Sequence, residues 1–374
     1  MIIKIQNFVL NLPDQKKALS ERINYISSKI ISCKFEKDLI LLKMIKKIEK
    51  NENELITKDV IKIINRIATD KAFSKERIIF TNHTKSFPNK IKTFDKLIKK
   101  KELKEISPGL FTMKGELLKE FNNLDKLLLD YSKKSNFQNM HVHSMLPTDS
   151  LIDNGYLSNF SHHVFFTSNI EKKISSIDKV SDLKHSDLNL IKKKLDLPKM
   201  VMSPAVCYHC FETLKKTKIN KNIVYNSISS CNRFENKNYK SLERLQSFTM
   251  REYVAFGDKK FINLFLKNTL DYFKKYFVLK KINFRIVTAS DAFFSQKGMS
   301  RMAYQKINEL KYEIQFWLCD ERKWLAVGSF NNHLDVLSKK YQIINSTGKI
   351  INSACIAWGY ERLIYALVSQ KKKI

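Results

Sequence analysis

The chain has 374 residues, 43% apolar and 28% charged, with 8 Gly, 6 Pro, 6 Cys and a formal net charge of +31. Its length suits one large domain with an appendage or two ordinary domains, and its composition excludes a disordered tail, a collagen-like fibre and a small disulfide scaffold. No apolar run approaches the roughly 18 residues of a membrane span, the cysteines lack paired spacing, and no cleavage site follows the N-terminal apolar stretch; a cytoplasmic protein with reduced thiols is expected.

Residues 1–105 read mainly as helix and form an N-terminal extension of unassigned role. Leu41, Met44, Ile45 and Ile48 recur at i, i+3, i+4 and i+7, and Val60, Ile63, Ile64 and Ile67 repeat the pattern, with Thr57 or Asp59 as a cap. The segment 83–105 is Lys-dense and carries Pro88, as a linker or a solvated helix face would. From Ser107-Pro108-Gly109 the texture changes. Strands are predicted at 223–230, 242–256, 282–289, 311–318, 325–330 and 350–358, with helices at 260–277 and 300–309. Strands interrupted by helices, without regular βαβ units, indicate an α+β domain over 106–374 on a mainly antiparallel sheet.

Charge points to the C-terminal part. The basic residues are 58 Lys against 10 Arg, a bias that AT-rich codon usage produces as readily as a selected polyanion site does. Seven of the ten Arg nevertheless lie between 233 and 362. Arg resists replacement by Lys where a planar fork must grip phosphate or carboxylate.

Two segments carry the chemistry. The first runs from Cys231 to Gly257, with Arg233-x-Glu235, a polar turn, and a predicted strand holding Arg244, Phe248 and Arg251-Glu252. It reads as a nucleotide clamp, with Arg233 on an α-phosphate, Glu235 accepting from an adenine amino group and Phe248 stacking on the base. A surface hairpin with cross-strand ion pairs is the plainer alternative. Glu252 shares a strand face with Phe248, Met250 and Val254, a costly place for a carboxylate unless it meets a cation or metal. The second segment is Ser353–Leu363, where a strand ends at Trp358, Gly359 allows a turn, and a helix opens near Tyr360 with Arg362 in its first turn. That is a favourable position for a terminal phosphate.

Together these segments resemble motifs 2 and 3 of the class II aminoacyl-tRNA synthetases. Pro204-x-x-Cys207, Met250-Arg251-Glu252 and Ser353-Ala354-Cys355 narrow the resemblance to the zinc site of the atypical, zinc-dependent seryl-tRNA synthetases. They are most similar to the truncated relatives of those enzymes, the amino acid:[carrier protein] ligases. Ser290-Asp291-Ala292-Phe293-Phe294, Lys311-Tyr312-Glu313 and Ser329–Asp335 resemble further family segments, as do Pro108–Phe111 and Gly155–His163. Residues 1–105 lie outside the resemblance.

The resemblance implies a class II synthetase-like antiparallel sheet flanked by helices, and a ligase that forms an aminoacyl-adenylate. Cys207, Glu252 and Cys355 are implied zinc ligands, leaving a fourth position for the substrate amine. Cys207-x-x-Cys210 with His209 is a competing set, although the second CxxC of a ribbon is missing. Arg233, Glu235, Arg244, Phe248, Glu313, Ser329 and Arg362 are implied ATP-binding residues, with Arg233 and Arg362 catalytic, and Asn331 and Glu252 substrate-binding. Mg²⁺, ATP, a small amino acid such as glycine or alanine, a phosphopantetheinylated carrier protein and a homodimer complete the expectation. A tRNA substrate is disfavoured, since no coiled-coil arm with sustained heptads precedes the core and no anticodon-type domain follows Arg362. A non-catalytic paralogue is disfavoured by the presence of Arg233, Glu235, Arg362 and all three ligands. Two departures stand out: Gly359 is the sole motif 3 glycine, and Trp358 is bulky beside the expected nucleotide.

Overall fold

The computed structural model describes residues 1–6, 10, 13–36, 39–45, 48–69, 76–84, 91–182, 188–236, 238–289 and 308–374. The family-like segment 290–294 and most of the helix predicted over 300–309 lie outside them.

The chain opens with β1 (Ile2–Gln6), α1 (Pro13–Ile23), β2 (Ile30–Glu36), β3 (Leu39–Met44) and α2 (Lys50–Thr69). The strands pair antiparallel in the order β1-β3-β2. Alternate residues Ile3, Ile5, Ile40, Leu42 and Met44 meet Leu19, Ile23, Ile56, Val60, Ile64 and Ile67 in a core of their own. The reading of residues 1–105 as mainly helical is corrected here. The unbroken run Leu39–Leu42 fits both a helix and a buried strand by pattern alone, and pairing on both sides makes it the central strand. The Val60–Ile67 helix is present, but α2 begins at Lys50, so Thr57 and Asp59 lie inside it and do not cap it.

The separate core ends at Ile67. β4 (Ile78–Asn82) already belongs to the main sheet, and α3 (Thr93–Lys99) buries Leu97 in the main core. β5 (Leu103–Ser107) and β6 (Leu110–Met113) form a hairpin whose turn holds Gly109 at φ +73°; a Cβ there would stand 2.9 Å from Gln246 N, so glycine suits both turn and contact.

There follow α4 (Gly115–Lys134), β7 (Gln138–Asn139), β8 (Met145–Pro147), α5 (Thr148–Asp153), α6 (Tyr156–Phe160), β9 (Phe166–Thr167), α7 (Ile174–Ser181), α8 (Leu188–Lys193), β10 (Met200–Met202), α9 (Cys207–Thr213) and β11 (Lys218–Ile219). The C-terminal half comprises β12 (Ile223–Asn232), β13 (Ser247–Gly257), α10 (Lys259–Leu279), β14 (Phe284–Thr288), β15 (Lys311–Leu318), β16 (Lys323–Leu334), α11 (Val336–Tyr341), β17 (Ile344–Asn345), β18 (Asn352–Gly359) and α12 (Tyr360–Ser369). The predicted strand over 311–318 and the helix start at Tyr360 agree with it. Arg244, predicted within a strand, lies three residues before β13.

The main sheet runs β4-β14-β15-β16-β18-β13-β12-β7, antiparallel at every pairing except β12–β7. This is the expected α+β architecture. One face carries Tyr253, Ala255, Ile314, Phe316, Phe330, Ala354, Ile356 and Trp358 against α4, α10 and α12. Trp358 is fully buried there, with ring centroids 4.6 Å from Phe273 and 5.9 Å from Phe330. It therefore points away from the opposite face, and its expected crowding of a nucleotide is corrected. Gly328 makes the room, since a Cβ there would come within 2.8 Å of the Trp358 ring. The other face packs against α9 and α11 through Phe211, Val254, Phe256 and Tyr341.

Candidate functional site

Register assembles the second face. Glu252 on β13 lies opposite Ala357 on β18, Ala357 opposite Ser329 on β16, and Ser329 opposite Glu313 on β15. One step along, Cys355 lies opposite both Val254 and Asn331. By the two-residue alternation, Phe248 and Glu252 share this face with Cys355, Ser329, Asn331 and Glu313. Five of the residues singled out in sequence therefore come from four strands onto one surface, with Phe248 at its edge.

At one end, Cys207, Glu252 and Cys355 bring two sulfurs and a carboxylate oxygen within 4.8 Å of one another. Cys207 enters from the first residue of α9. All three are buried, Glu252 with 1% exposure. Glu252 Oε1 accepts from Val206 N at 2.9 Å, while Oε2 has no hydrogen-bond partner. Asn331 Nδ2 donates to Cys355 Sγ at 3.4 Å and to Ser329 Oγ at 3.1 Å. Burial, followed by the charge of Cys355, pushes the Glu252 carboxyl well above its ordinary range. The hydrogen bond between the two thiols, then burial and Glu252, pushes the Cys207 thiol well up, while the same bond pulls the Cys355 thiol well below the ordinary range. An orphaned carboxylate oxygen beside paired sulfurs is a donor set that fits zinc, whose charge would offset each of these penalties. Cys210 is buried on the same helix, yet it stands outside this group and its sulfur faces Ser227 Oγ at 3.9 Å. The competing Cys207–Cys210 set is thus not brought together, and His209 turns to Ser203 Oγ at 3.1 Å.

The other end is cationic. Arg233 follows β12, with Nε donating to Pro204 O at 3.0 Å and Cζ 5.3 Å from the Phe248 ring centroid. Glu235 pairs with Arg244 at 3.2 Å. Both Arg233 and Glu235 lie in the loop beyond the strand end, so their convergence comes from the loop and not from strand alternation. Arg362, in the first turn of α12, donates through Nε to Glu243 O at 2.5 Å and through NH1 to Ala326 O at 3.4 Å. Burial, then the charges of Arg244 and Arg233, make the Arg362 guanidinium harder to keep charged, and Glu235 and Glu313 ease it. Three guanidiniums that feel one another suit an anion of several charges.

Arg251 behaves differently from its neighbour Glu252. It faces the helical side, where it binds Asp125 at 2.6 Å, Tyr360 Oη at 2.9 Å and Asn226 Oδ1 at 2.7 Å. It ties β13 to β12, α4 and α12, a role the sequence reading missed although alternation alone separates it from Glu252. Gly359 was expected to permit a tight turn, but its φ of −90° and ψ of 109° are open to any residue. What it omits is a side chain opposite Met250. His333, which matches a family segment, interacts with Cys355 and stands 3.4 Å from Ser353 Oγ.

No protein-family model matches the chain. It is 26% identical over 268 residues to amino acid–[acyl-carrier-protein] ligase 2 of Bradyrhizobium diazoefficiens, covering 70% of this chain and 78% of that protein. It is 30% identical over 170 residues to ligase 1 of the same organism, covering 45% of this chain and 52% of that protein. The chain is therefore similar in sequence to the amino acid–[acyl-carrier-protein] ligases. It is also 21% identical over 276 residues to the type-2 serine–tRNA ligase of Methanopyrus kandleri, covering 68% of this chain and 51% of that protein. It therefore spans about half the length of two of these three curated relatives. Among solved structures, M. kandleri SerRS in complex with A. aeolicus tRNASec aligns with a TM-score of 0.71 at 16% identity, over 99% of this chain and 74% of that one. Pyrococcus horikoshii seryl-tRNA synthetase complexed with ATP aligns with a TM-score of 0.59 at 12% identity, over 86% and 76%. These likenesses establish the synthetase fold.

Proposed function

We propose that this chain is a ligase that activates a small amino acid with ATP and transfers the aminoacyl group to the phosphopantetheine thiol of a carrier protein. The observations that support the reading are the convergence of Cys207, Glu252 and Cys355 on one face of the sheet and the mutual influence of the Arg233, Arg244 and Arg362 guanidiniums. The names of the curated relatives support the reaction class, and the ATP-complexed synthetase supports the nucleotide.

In the first half-reaction the amino acid carboxylate attacks the α-phosphorus, and pyrophosphate leaves. The nucleophile is already an anion, so positioning and charge stabilisation outweigh base catalysis. Arg233 would hold the α-phosphate, Phe248 would take the base, Glu235 would accept from the adenine amino group, and Arg362 and Arg244 would neutralise the outer phosphates. Glu313 would serve magnesium-bound ATP, and Ser329 and Asn331 would line the path between nucleotide and amino acid. Cys207, Glu252 and Cys355 would hold zinc, which supplies a Lewis-acidic position for the substrate amine. In the second half-reaction the carrier thiol attacks the adenylate carbonyl carbon, forming the thioester as AMP leaves. The homodimer implied by the family belongs to the same reading. Among the described residues no helix is long and apolar enough to cross a membrane.

A second reading, transfer to tRNA, has its own support. The structural likeness covering 99% of the chain, N-terminal unit included, is to a synthetase bound to tRNASec. That finding does not fit the expectation that tRNA is disfavoured. Amino acid-dependent ATP–pyrophosphate exchange with glycine, alanine and serine tests activation; no exchange with any of them rejects both readings. Labelled amino acid should then appear as a hydroxylamine-sensitive thioester on phosphopantetheinylated carrier. Label on tRNA with none on carrier would establish the second reading instead.

A further inference from the structure

The N-terminal unit touches the loop that carries the candidate nucleotide residues. Glu21, near the end of α1, meets Arg244 NH2 at 2.6 Å. Asn24 Nδ2 donates to Asn238 Oδ1 at 2.6 Å, and Asn236 Nδ2 donates to Asn24 O at 2.8 Å. Tyr25 Oη donates to Phe234 O at 3.4 Å, and its ring meets His162 edge-on with centroids 5.2 Å apart. All these contacts fall between Glu21 and Tyr25 on one side and within the loop or its neighbour on the other.

Arg244 thereby carries two carboxylates at once, Glu235 on NH1 and Glu21 on NH2. Glu235 belongs to the same loop, whereas Glu21 arrives from a unit with its own core. The Glu21–Arg244 pair is partly shielded, with side-chain exposures of 20% and 25%. A carboxylate and a phosphate present a guanidinium with the same pair of oxygens, so they compete for it. One carboxylate offsets one positive charge, while a triphosphate faces Arg233, Arg244 and Arg362 together.

We infer that Glu21 is an internal occupant of Arg244 that a nucleoside triphosphate displaces, so that it sets nucleotide affinity and links nucleotide binding to release of α1 from the loop. This rests on the ATP-site reading above. Without nucleotide, Glu21 lowers the repulsion among the guanidiniums and keeps the loop docked. With nucleotide, the differential affinity of Arg244 for the two anions moves the equilibrium toward the undocked unit.

The test is calorimetric titration of the full chain with magnesium-ATP, beside amide hydrogen exchange over residues 13–25. In Glu21→Gln the Kd for magnesium-ATP should fall about threefold to tenfold, the scale of a partly shielded ion pair. In the wild-type chain magnesium-ATP should speed exchange over 13–25. Weaker ATP binding in Glu21→Gln would mean that Glu21 positions Arg244, and it overturns competition. Asn24→Ala loosens the same contact without removing a charge and should tighten ATP binding by a smaller factor; unchanged affinity in both variants overturns the inference. Failure of the wild-type chain to bind magnesium-ATP rejects the ATP-site reading itself, whereas tight wild-type binding with indifferent variants rejects this inference alone.

Discussion

The two faces of the main sheet are built from the same strands and do opposite work. On β13, Tyr253 and Ala255 are packed under helices while Glu252 and Val254 look the other way. On β18, Ile356 and Trp358 alternate with Cys355 and Ala357. The helical face is an aromatic core; the other bears an unpartnered carboxylate oxygen and a pair of thiols. Such a polar face is costly unless something is bound there, whereas the aromatic face repays burial by itself. A one-residue slip of β18 would exchange Cys355 for Trp358's side of the sheet, so the core fixes the register that the site needs.

Two substitutions on β18 should break this comparison most sharply. Cys355→Ala is expected to lose bound zinc and to reduce ATP–pyrophosphate exchange by more than about 100-fold, with the chain still folded; metal analysis and exchange assay check it, and full exchange without metal rejects the site. Trp358→Ala should do the reverse, destabilising the chain by about 3–5 kcal/mol in denaturant unfolding while the folded fraction keeps its metal. Arg362→Lys comes next. Replacing a fork by a point charge should raise the KM for ATP about 10-fold to 100-fold with zinc content unchanged, and steady-state kinetics at saturating amino acid would reveal an unaltered KM if Arg362 stands apart from the nucleotide.

The smallest expected effect concerns Glu361, next to Arg362 but turned to the Thr249 amide, which both its oxygens accept at 2.9 Å. Burial pushes its carboxyl up to about 7. A folded-state value above the unfolded one means that the folded chain holds the proton longer. Its contribution is full below about pH 4.5 and is lost as pH rises through about 7. Glu361→Gln should therefore gain about 1–3 kcal/mol relative to the wild type between pH 5 and pH 8, read from urea midpoints at both values. A difference that does not change with pH would place the carboxyl in its ordinary range. On the acid side, burial holds His162 near 4 and His163 near 2, so the unfolded chain takes those protons first and both chains lose stability below about pH 6.5.

Much of the C-terminal half was readable because its strands alternate cleanly and its helices have marked ends. The β15 bounds, the α12 start and the convergence of Cys207, Glu252 and Cys355 all followed from local pattern or family likeness. The N-terminal unit was misread because Leu39–Leu42 carries no period, and nothing local distinguishes a central strand from a buried helix there. Glu21 was invisible for a different reason: an ordinary helical glutamate meets an arginine 223 positions away. Arg244 looked like a strand residue, and only the turn preceding Ser247 shows that it reaches back toward α1.

By itself the amino-acid order determined which residue types recur at two-residue and helical spacing, and hence the elements, the apolar faces and the cluster of arginines late in the chain. Those are properties of near neighbours, set by backbone geometry and hydrophobic alternation. Only the tertiary structure decided that Cys207, Glu252 and Cys355 share one small volume, that Trp358 belongs to the core, and that Glu21 holds Arg244. Each of these depends on strand order and register across long stretches of chain, where many pairings satisfy the same local pattern and packing selects one.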